Sequence, residues 1–326
     1  MNIKSFSIFL ILLLLLGVFS LWHLAAGAIN IDFLQVIKTL RLGSGEHHFV
    51  INDLRLPRMI IAILVGAALA LSGLLVQGVI RNPLASPDIL GITSGASLAV
   101  VILSIVWPNV PTHIIPTAAL IGGFTAAAIL LLFAKHLLNR PATFALVGIA
   151  LTALFGAAID YLLTVNPLQI NTAMLWLTGS VWGRNWQHIP LISSWLLVLI
   201  PIGVLMAYRL DLLGLGDDMA TNLGTSVNKV RLVSLIVAVC LASSAVSVAG
   251  SIGFVGLIAP HLARSILGHR HILLIPAVLV IGAILVVSAD LFARIIMPPL
   301  ELPAGVLTAF IGAPYFIYLL SRYKNW

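Results

Sequence analysis

Apolar residues run through this chain in long unbroken stretches, and polar residues gather in the short gaps between them. A helical membrane span needs about 20 apolar residues, and ten stretches are read as helices. The first covers residues 6–24. The second opens on Arg55-Leu56-Pro57-Arg58, with proline suited to a first helical turn, and closes at Arg81-Asn82-Pro83. The third follows the turn SPDILG and runs to about Trp107. Others lie at about 113–134, 144–164, 188–208, 230–250, 252–267, 272–290 and 303–321. A shorter piece, Thr172–Trp182, reads as a partial helix. The alternating polarity of membrane β-strands is absent.

Composition agrees with this pattern. The chain is 61 % hydrophobic and 8 % charged, whereas soluble proteins carry about 25 % charged residues. The expectation is an all-α integral membrane protein with about ten transmembrane helices. The +7 formal charge is therefore read against loop position rather than as a nucleic-acid signal. With both termini inside, eleven Lys and Arg fall on the inner side: Lys4, Arg81, Lys135, Arg140, Arg209, Lys229, Arg231, Arg264, Arg270, Arg322 and Lys324. Six fall outside: Lys38, Arg41, Arg55, Arg58, Arg184 and Arg294. That excess places the termini in the cytoplasm. LAAGA at 24–28 resembles a cleavage site, but the run before it is long enough to span, and it is read as a retained helix. Residues 27–56 read as mixed and polar, with Glu46-His47-His48 as a solvated trio. The lone Cys240 excludes a disulfide within the chain. No metal site and no cofactor are expected.

The most polar interruption, RLDLLGLGDDMATNLGTSVNKVR at 209–231, divides a single polytopic domain into helical halves of about 6–208 and 232–326. Its residues suggest two short capped helices. Asp211 can cap a turn over Leu212–Leu215, closed by Gly216. Asp217 can cap another over Asp218–Leu223, with Ala220 inside it, closed by Gly224. Such a knob transmits force or positions a partner. A faint internal repeat also shows: LALSGLLVQGVI (69–80) and LASSAVSVAGSI (241–252) agree at six of twelve positions. The assigned orientation runs the first inward and the second outward, as in inverted repeats of transporters.

Charges are nearly excluded from the span centres. Asp290 and Arg294 lie four apart, a spacing that lets them pair on one helix face; Asp160 sits near the outer end of its helix. No relay of Asp, Glu or His occupies mid-membrane positions, as a proton-driven pump would need. No Gly-Lys dipeptide occurs, so there is no phosphate-binding P-loop. A permease driven by a separate ATPase and fed by a separate binding protein fits best, with a secondary transporter or channel as the other class.

RLPR (55–58), GAALALSG (66–73), RNPLASPDILG (81–91), WLTGSVWGR (176–184), LGDDMATNLG (215–224), GFVGLIAPHLAR (253–264), ADLFAR (289–294) and ELPAGVLTAFIGAPYF (301–316) resemble the FecCD-type permeases, membrane subunits of bacterial ATP-binding-cassette importers. RNPLASPDILG and WLTGSVWGR are most similar to the ferric dicitrate branch of that family. The resemblance implies a fold like the vitamin B12 permease and an iron-chelate cargo, with other siderophores, haem or cobalamin as alternatives. It implies a paralogous permease as heterodimer partner, two cytoplasmic ATPases, a periplasmic binding protein, and no reaction catalysed by this chain. It assigns binding-protein docking to Arg55, Arg58 and Arg294. ATPase coupling falls to Asp211–Val227, chiefly Asp211, Leu215, Gly216, Asp217, Asp218, Ala220, Leu223 and Gly224. A cytoplasmic gate falls at Arg140, Pro141, Ala142 and Thr143, where the vitamin B12 permease carries hydroxyl residues in place of Pro141 and Ala142.

Overall fold

Among the described residues, ten apolar helices form the body of the molecule, in the order that the apolar runs predict. The computed structural model describes residues 3–111, 113–134, 140–167, 174, 176–298 and 300–322. Eight helices are long and apolar enough to cross a bilayer: α1 (Ile3–Ala25), α3 (Leu56–Ile80), α5 (Ile115–Ala134), α6 (Pro141–Val165), α7 (Ile189–Leu213), α9 (Val227–Ala249), α11 (His271–Ile295) and α12 (Ala304–Arg322). Two apolar helices are shorter, α4 (Ile92–Val106) and α10 (Val255–Leu267). At about 1.5 Å per residue they reach roughly 20 Å, less than the roughly 30 Å hydrocarbon core. Two further helices are the amphipathic α2 (Phe33–Leu42) and the polar α8 (Asp217–Asn222). No strand occurs among the described residues.

Helix α3 is the axis. In its most apolar stretch 83 % of residues are buried, against 17 % for α1. It packs on α7, α9, α10 and α11. Lipid tails are as apolar as leucine, so helices in a membrane associate through close packing at small residues. Here glycine meets glycine. A Cβ on Gly66 would overlap the Gly282 carbonyl of α11, and one on Gly73 would overlap the Gly256 carbonyl of α10. Ser72 fills the remaining approach by donating its hydroxyl to the Ala238 carbonyl of α9 at 2.7 Å.

Ion pairs fix which helix ends meet. Arg81, just past the end of α3, and Arg231, near the start of α9, both pair with Asp217. Helices α3 and α9 therefore run antiparallel, the arrangement their faint sequence repeat anticipates. Each is followed by a break inside the bundle. After α3 comes a 3-10 turn, Pro87–Leu90, and after α9 the non-helical stretch 250–254. The first break lies against the helix that follows the second, since a Cβ on Gly256 of α10 would lie 2.9 Å from the Pro87 Cδ.

Sequence and structure part in three places, and some of the sequence readings fall on residues outside the described ones. The stretch read as mixed and polar contains α2, with Asp32 accepting from the Leu34 N–H at 3.2 Å and Gly43 closing the helix in the left-handed region. Val36 and Thr39 face the protein, while Phe33, Leu34, Ile37 and Leu40 are exposed. The second span does not begin at Arg55: a π-helical turn, Val50–Arg55, precedes it. The expected pair of short helices is one. α7 continues unbroken through Asp211 to Leu213, so only α8 stands as a separate helix, and Gly216 rather than Asp217 occupies its N-cap. Finally, Thr172, Ala173 and Leu175 of the partial helix, with Lys135 and Lys324 of the charge count, lie outside the described residues.

Candidate functional site

Two polar clusters lie at opposite ends of the bundle. At the first, the C-terminal carbonyls of α1 have no partner within their own helix, as at every helix end. Arginines supply the donors. Arg55 Nη1 donates to the carbonyls of Leu24 and Ala25 at 2.7 and 2.9 Å, and its Nη2 to Ile29 at 2.5 Å. Arg294 donates to the His23 carbonyl. Cations here also complement the negative end of the α1 dipole.

Arg58 faces two carboxylates. Its Nε and Nη2 donate to Asp290 at 2.8 and 2.7 Å, and its Nη1 to Glu301 at 2.7 Å. The fully buried Asp290 also lies 2.8 Å from His23 Nε2. The helix neighbours Asp290 and Arg294, four apart, do not form the expected ion pair; Asp290 turns instead to Arg58 and His23. Arg55, Arg58 and Arg294 are only 5–7 % exposed. Together they tie α1, α3 and α11 into one block. Glu301 is the member that reaches solvent, its side chain 26 % exposed.

At the other end, Asp217 in the first turn of α8 bridges Arg81 and Arg231, the latter at 2.9 Å. Arg231 is wholly buried, so this carboxylate anchors α8 to both α3 and α9. Beyond α8, Gly224 takes φ +80° and the Thr225 N–H returns to the Ala220 carbonyl at 2.9 Å, closing the helix. Ala220 is buried against the body, whereas Leu215, Met219 and Leu223 are each more than half exposed. Met219 and the C-cap Leu223 are four apart, which puts them on one side of α8, and Leu215 stands just before its N-cap. Asp211 does not cap a local turn: it accepts from the His271 N–H at 3.0 Å and lies 2.6 Å from His271 Nδ1. It thus serves the N-terminus of α11, sixty residues away. Arg264 adds a tie at this end, donating to Gln77 at 2.5 Å.

With this geometry in hand, comparison with known proteins decides the family. The FecCD transport family matches residues 12–322. The chain belongs to the FecCD family. Among similar FecCD-type proteins, the Fe(3+)-citrate import system permease protein YfmE of Bacillus subtilis is 46 % identical over 312 residues, 96 % of this chain and 94 % of that one. The Fe(3+) dicitrate transport system permease protein FecD of Escherichia coli is 45 % identical over 305 residues, 94 % of this chain and 95 % of its own. A solved structure described as a metal-chelate type ABC transporter in an inward-facing conformation superposes with a TM-score of 0.83 at 31 % identity, covering 97 % of this chain and 99 % of that one. This chain is thus a multi-pass, all-helical transport permease of that family.

In this FecCD chain Arg140, Pro141, Ala142 and Thr143, the expected gate, sit at the start of α6. Pro141 is the first helical residue and the Arg140 carbonyl accepts from the Phe144 N–H at 3.0 Å. Arg140, Ala142 and Thr143 are exposed, while Phe144 anchors the turn in the core. Four polar residues of the clusters escaped the sequence reading: His23, Glu301, Gln77 and His271. Glu301 opens the ELPAG motif and gave a usable signal; the others lie within or beside apolar runs and gave none. Among the described residues, no group of three or more His, Cys, Asp or Glu is placed to hold a metal.

Proposed function

We propose that this chain is one membrane permease of an importer that carries ferric dicitrate across the bacterial inner membrane, as a single polytopic domain. Likeness over nearly the whole chain to two ferric-citrate permeases, at 45–46 % identity, carries the choice of cargo. In this reading the Asp217 end and both termini are cytoplasmic and the Arg58 end faces outward, in line with the excess of Lys and Arg at the former. ATP hydrolysis belongs to two separate ATPase subunits, and a paralogous permease completes the pore. The exposed Leu215, Met219 and Leu223 support an ATPase contact, because apolar side chains exposed outside the membrane mark an interaction surface. Asp217 then relays movement of α8 to α3 and α9 through Arg81 and Arg231. Arg140, Pro141, Ala142 and Thr143 narrow the cytoplasmic exit.

The docking role of Arg55, Arg58 and Arg294 takes a modified form. Their burial makes them the frame of the docking face rather than free charges on it. A carboxylate of the outer binding protein reaches this frame by replacing Glu301 at Arg58. Partners shift the populations of inward- and outward-open states. The deciding experiment supplies this system to cells lacking their own permeases. Uptake of labelled ferric dicitrate, with haem and cobalamin left outside, is the expected result; uptake of haem or cobalamin alone would overturn the cargo.

A further inference from the structure

At the Arg58 end, the outer end in the proposed orientation, the Arg184 side chain has no ion-pair or hydrogen-bond partner among the described residues. Arg184 closes the WLTGSVWGR motif, and the backbone around it is firmly held. The Trp176 carbonyl accepts from the Ser251 N–H at 3.0 Å, the Gly179 carbonyl from Gly305 at 2.9 Å, and Ser180 donates to Ala249 at 2.7 Å. Two residues beyond Arg184, the Trp186 indole donates to the Asn52 carbonyl at 2.9 Å. These ties join the segment to the end of α9, the start of α12 and the π-helical turn.

The Arg184 guanidinium carbon lies 4.6 Å from the centre of the Trp176 ring, and that indole is itself buried. The Arg184 Nε is buried with no acceptor among the described residues. The chain has ten Asp and Glu, all within the described residues, and none pairs with Arg184. The buried arginines of this end are committed, Arg55 and Arg294 to carbonyls and Arg58 to two carboxylates, while Arg41 is exposed. Burial pushes the Arg184 guanidinium down to about 10, so it keeps its charge at neutral pH. A charge partly withdrawn from water gains from a partner, because desolvation is costly.

A membrane-surface arginine lays its stem on apolar surface and sends its head into water or lipid phosphate. Arg184 instead is half-buried and lays its head against a buried indole. The aromatic face fixes the plane of the guanidinium, leaving a planar donor fork of the kind that matches a carboxylate. We propose that Arg184, held by Trp176, binds a carboxylate of the iron chelate as the cargo enters the permease from the outer side. This inference rests on the ferric dicitrate reading for the identity of the cargo. A recessed cation suits a small anionic chelate better than the side chain of a docked protein.

Two measurements on the assembled transporter in lipid nanodiscs test it. The first maps arginine modification by phenylglyoxal at Arg184 in the unaltered protein. Free citrate is expected to protect this residue and a neutral sugar to leave it reactive, equally in zwitterionic and anionic lipid. The second compares ferric dicitrate transport by Arg184→Lys and Arg184→Gln. The glutamine variant should raise KM by about tenfold or more, the scale of losing one charge-assisted pair, with kcat and binding-protein docking affinity unchanged. The lysine variant should fall between. Absence of citrate protection overturns the site, as does protection that follows anionic lipid content. Weakened docking with unchanged KM overturns it in favour of a binding-protein carboxylate. Should the unaltered transporter fail to move ferric dicitrate while citrate still protects Arg184, the cargo reading falls and the carboxylate site stands.

Discussion

Arg58 grips Asp290 through two nitrogens at 2.8 and 2.7 Å, across 232 residues of sequence. The pair is buried, and with His23 and Glu301 it joins the ends of α1, α3 and α11. Removing one member of a buried ion pair strands the other and costs about 3–5 kcal/mol. Asp290→Ala is therefore expected to lower the thermal unfolding temperature sharply and to loosen α1, read by protease sensitivity near Ala25. Glu301→Gln, with its partly exposed side chain, should cost about 1 kcal/mol or less. Equal effects from both would count against this ranking.

Arg184 predicts the opposite sign. Its folded-state pKa lies below the ordinary arginine value because burial disfavours the charge. The unfolded chain binds that proton more tightly, so the penalty on folding is present at neutral pH and is relieved only as pH rises through about 10. Arg184→Gln should leave stability unchanged or raise it, even while cargo affinity falls. A marked loss of stability would make Arg184 a structural residue.

At the other end, Asp217→Leu leaves Arg81 and Arg231 facing each other without their shared carboxylate. The expected outcome is an inserted complex whose basal ATPase persists while transport drops by about tenfold or more, the equivalent of about 1.4 kcal/mol of coupling. Asp217→Glu should recover part of it. Gly224→Pro tests the same knob at its closing turn, where φ is +80°, a value closed to proline. Normal transport in both Asp217→Leu and Gly224→Pro would remove α8 from the coupling path.

Orientation is checked by cysteine labelling. Positions 215–224 should resist impermeant reagents added from outside, and residues 44–48 should react. External labelling of 215–224 would reverse both the topology and the assignment of the knob.

Glycine contacts give the sharpest stability contrast. Gly73→Val drives a side chain into the Gly256 carbonyl, whereas a Cβ on Gly156 meets nothing within 4 Å. Overpacking costs about 1–3 kcal/mol or more, so Gly73→Val should fail to accumulate in the membrane while Gly156→Ala accumulates normally. Similar yields for the two would refute the close packing of α3 on α10.

The bundle was legible because hydrophobic runs of span length carry their own signal. The helix from Val227 to Ala249 and its neighbours fall within a few residues of expectation. Shorter and amphipathic features were harder to see. α2 hides its periodicity in ten residues whose apolar face is split between protein and surroundings. The first coupling turn was misread because Asp211 looks like a local cap until His271, sixty residues away, is brought to it. The same limit hid the arginines' partners. Sequence spacing offers Arg294 only Asp290, but folding presents Asp290 with Arg58 and His23, and gives Arg294 a backbone carbonyl.

The glycine seams along α3 also restrict how such a protein can move. Backbone lies on backbone at Gly66–Gly282 and Gly73–Gly256, so α3 has no side-chain layer there on which to slip or roll. Helices α3, α10 and α11 must travel as a single piece. Any opening and closing is left to the margins of the molecule, where α6 and α7 show most of their surface to the surroundings. A push delivered at Asp217 would then arrive at the far end undiminished, as through a rod rather than a spring.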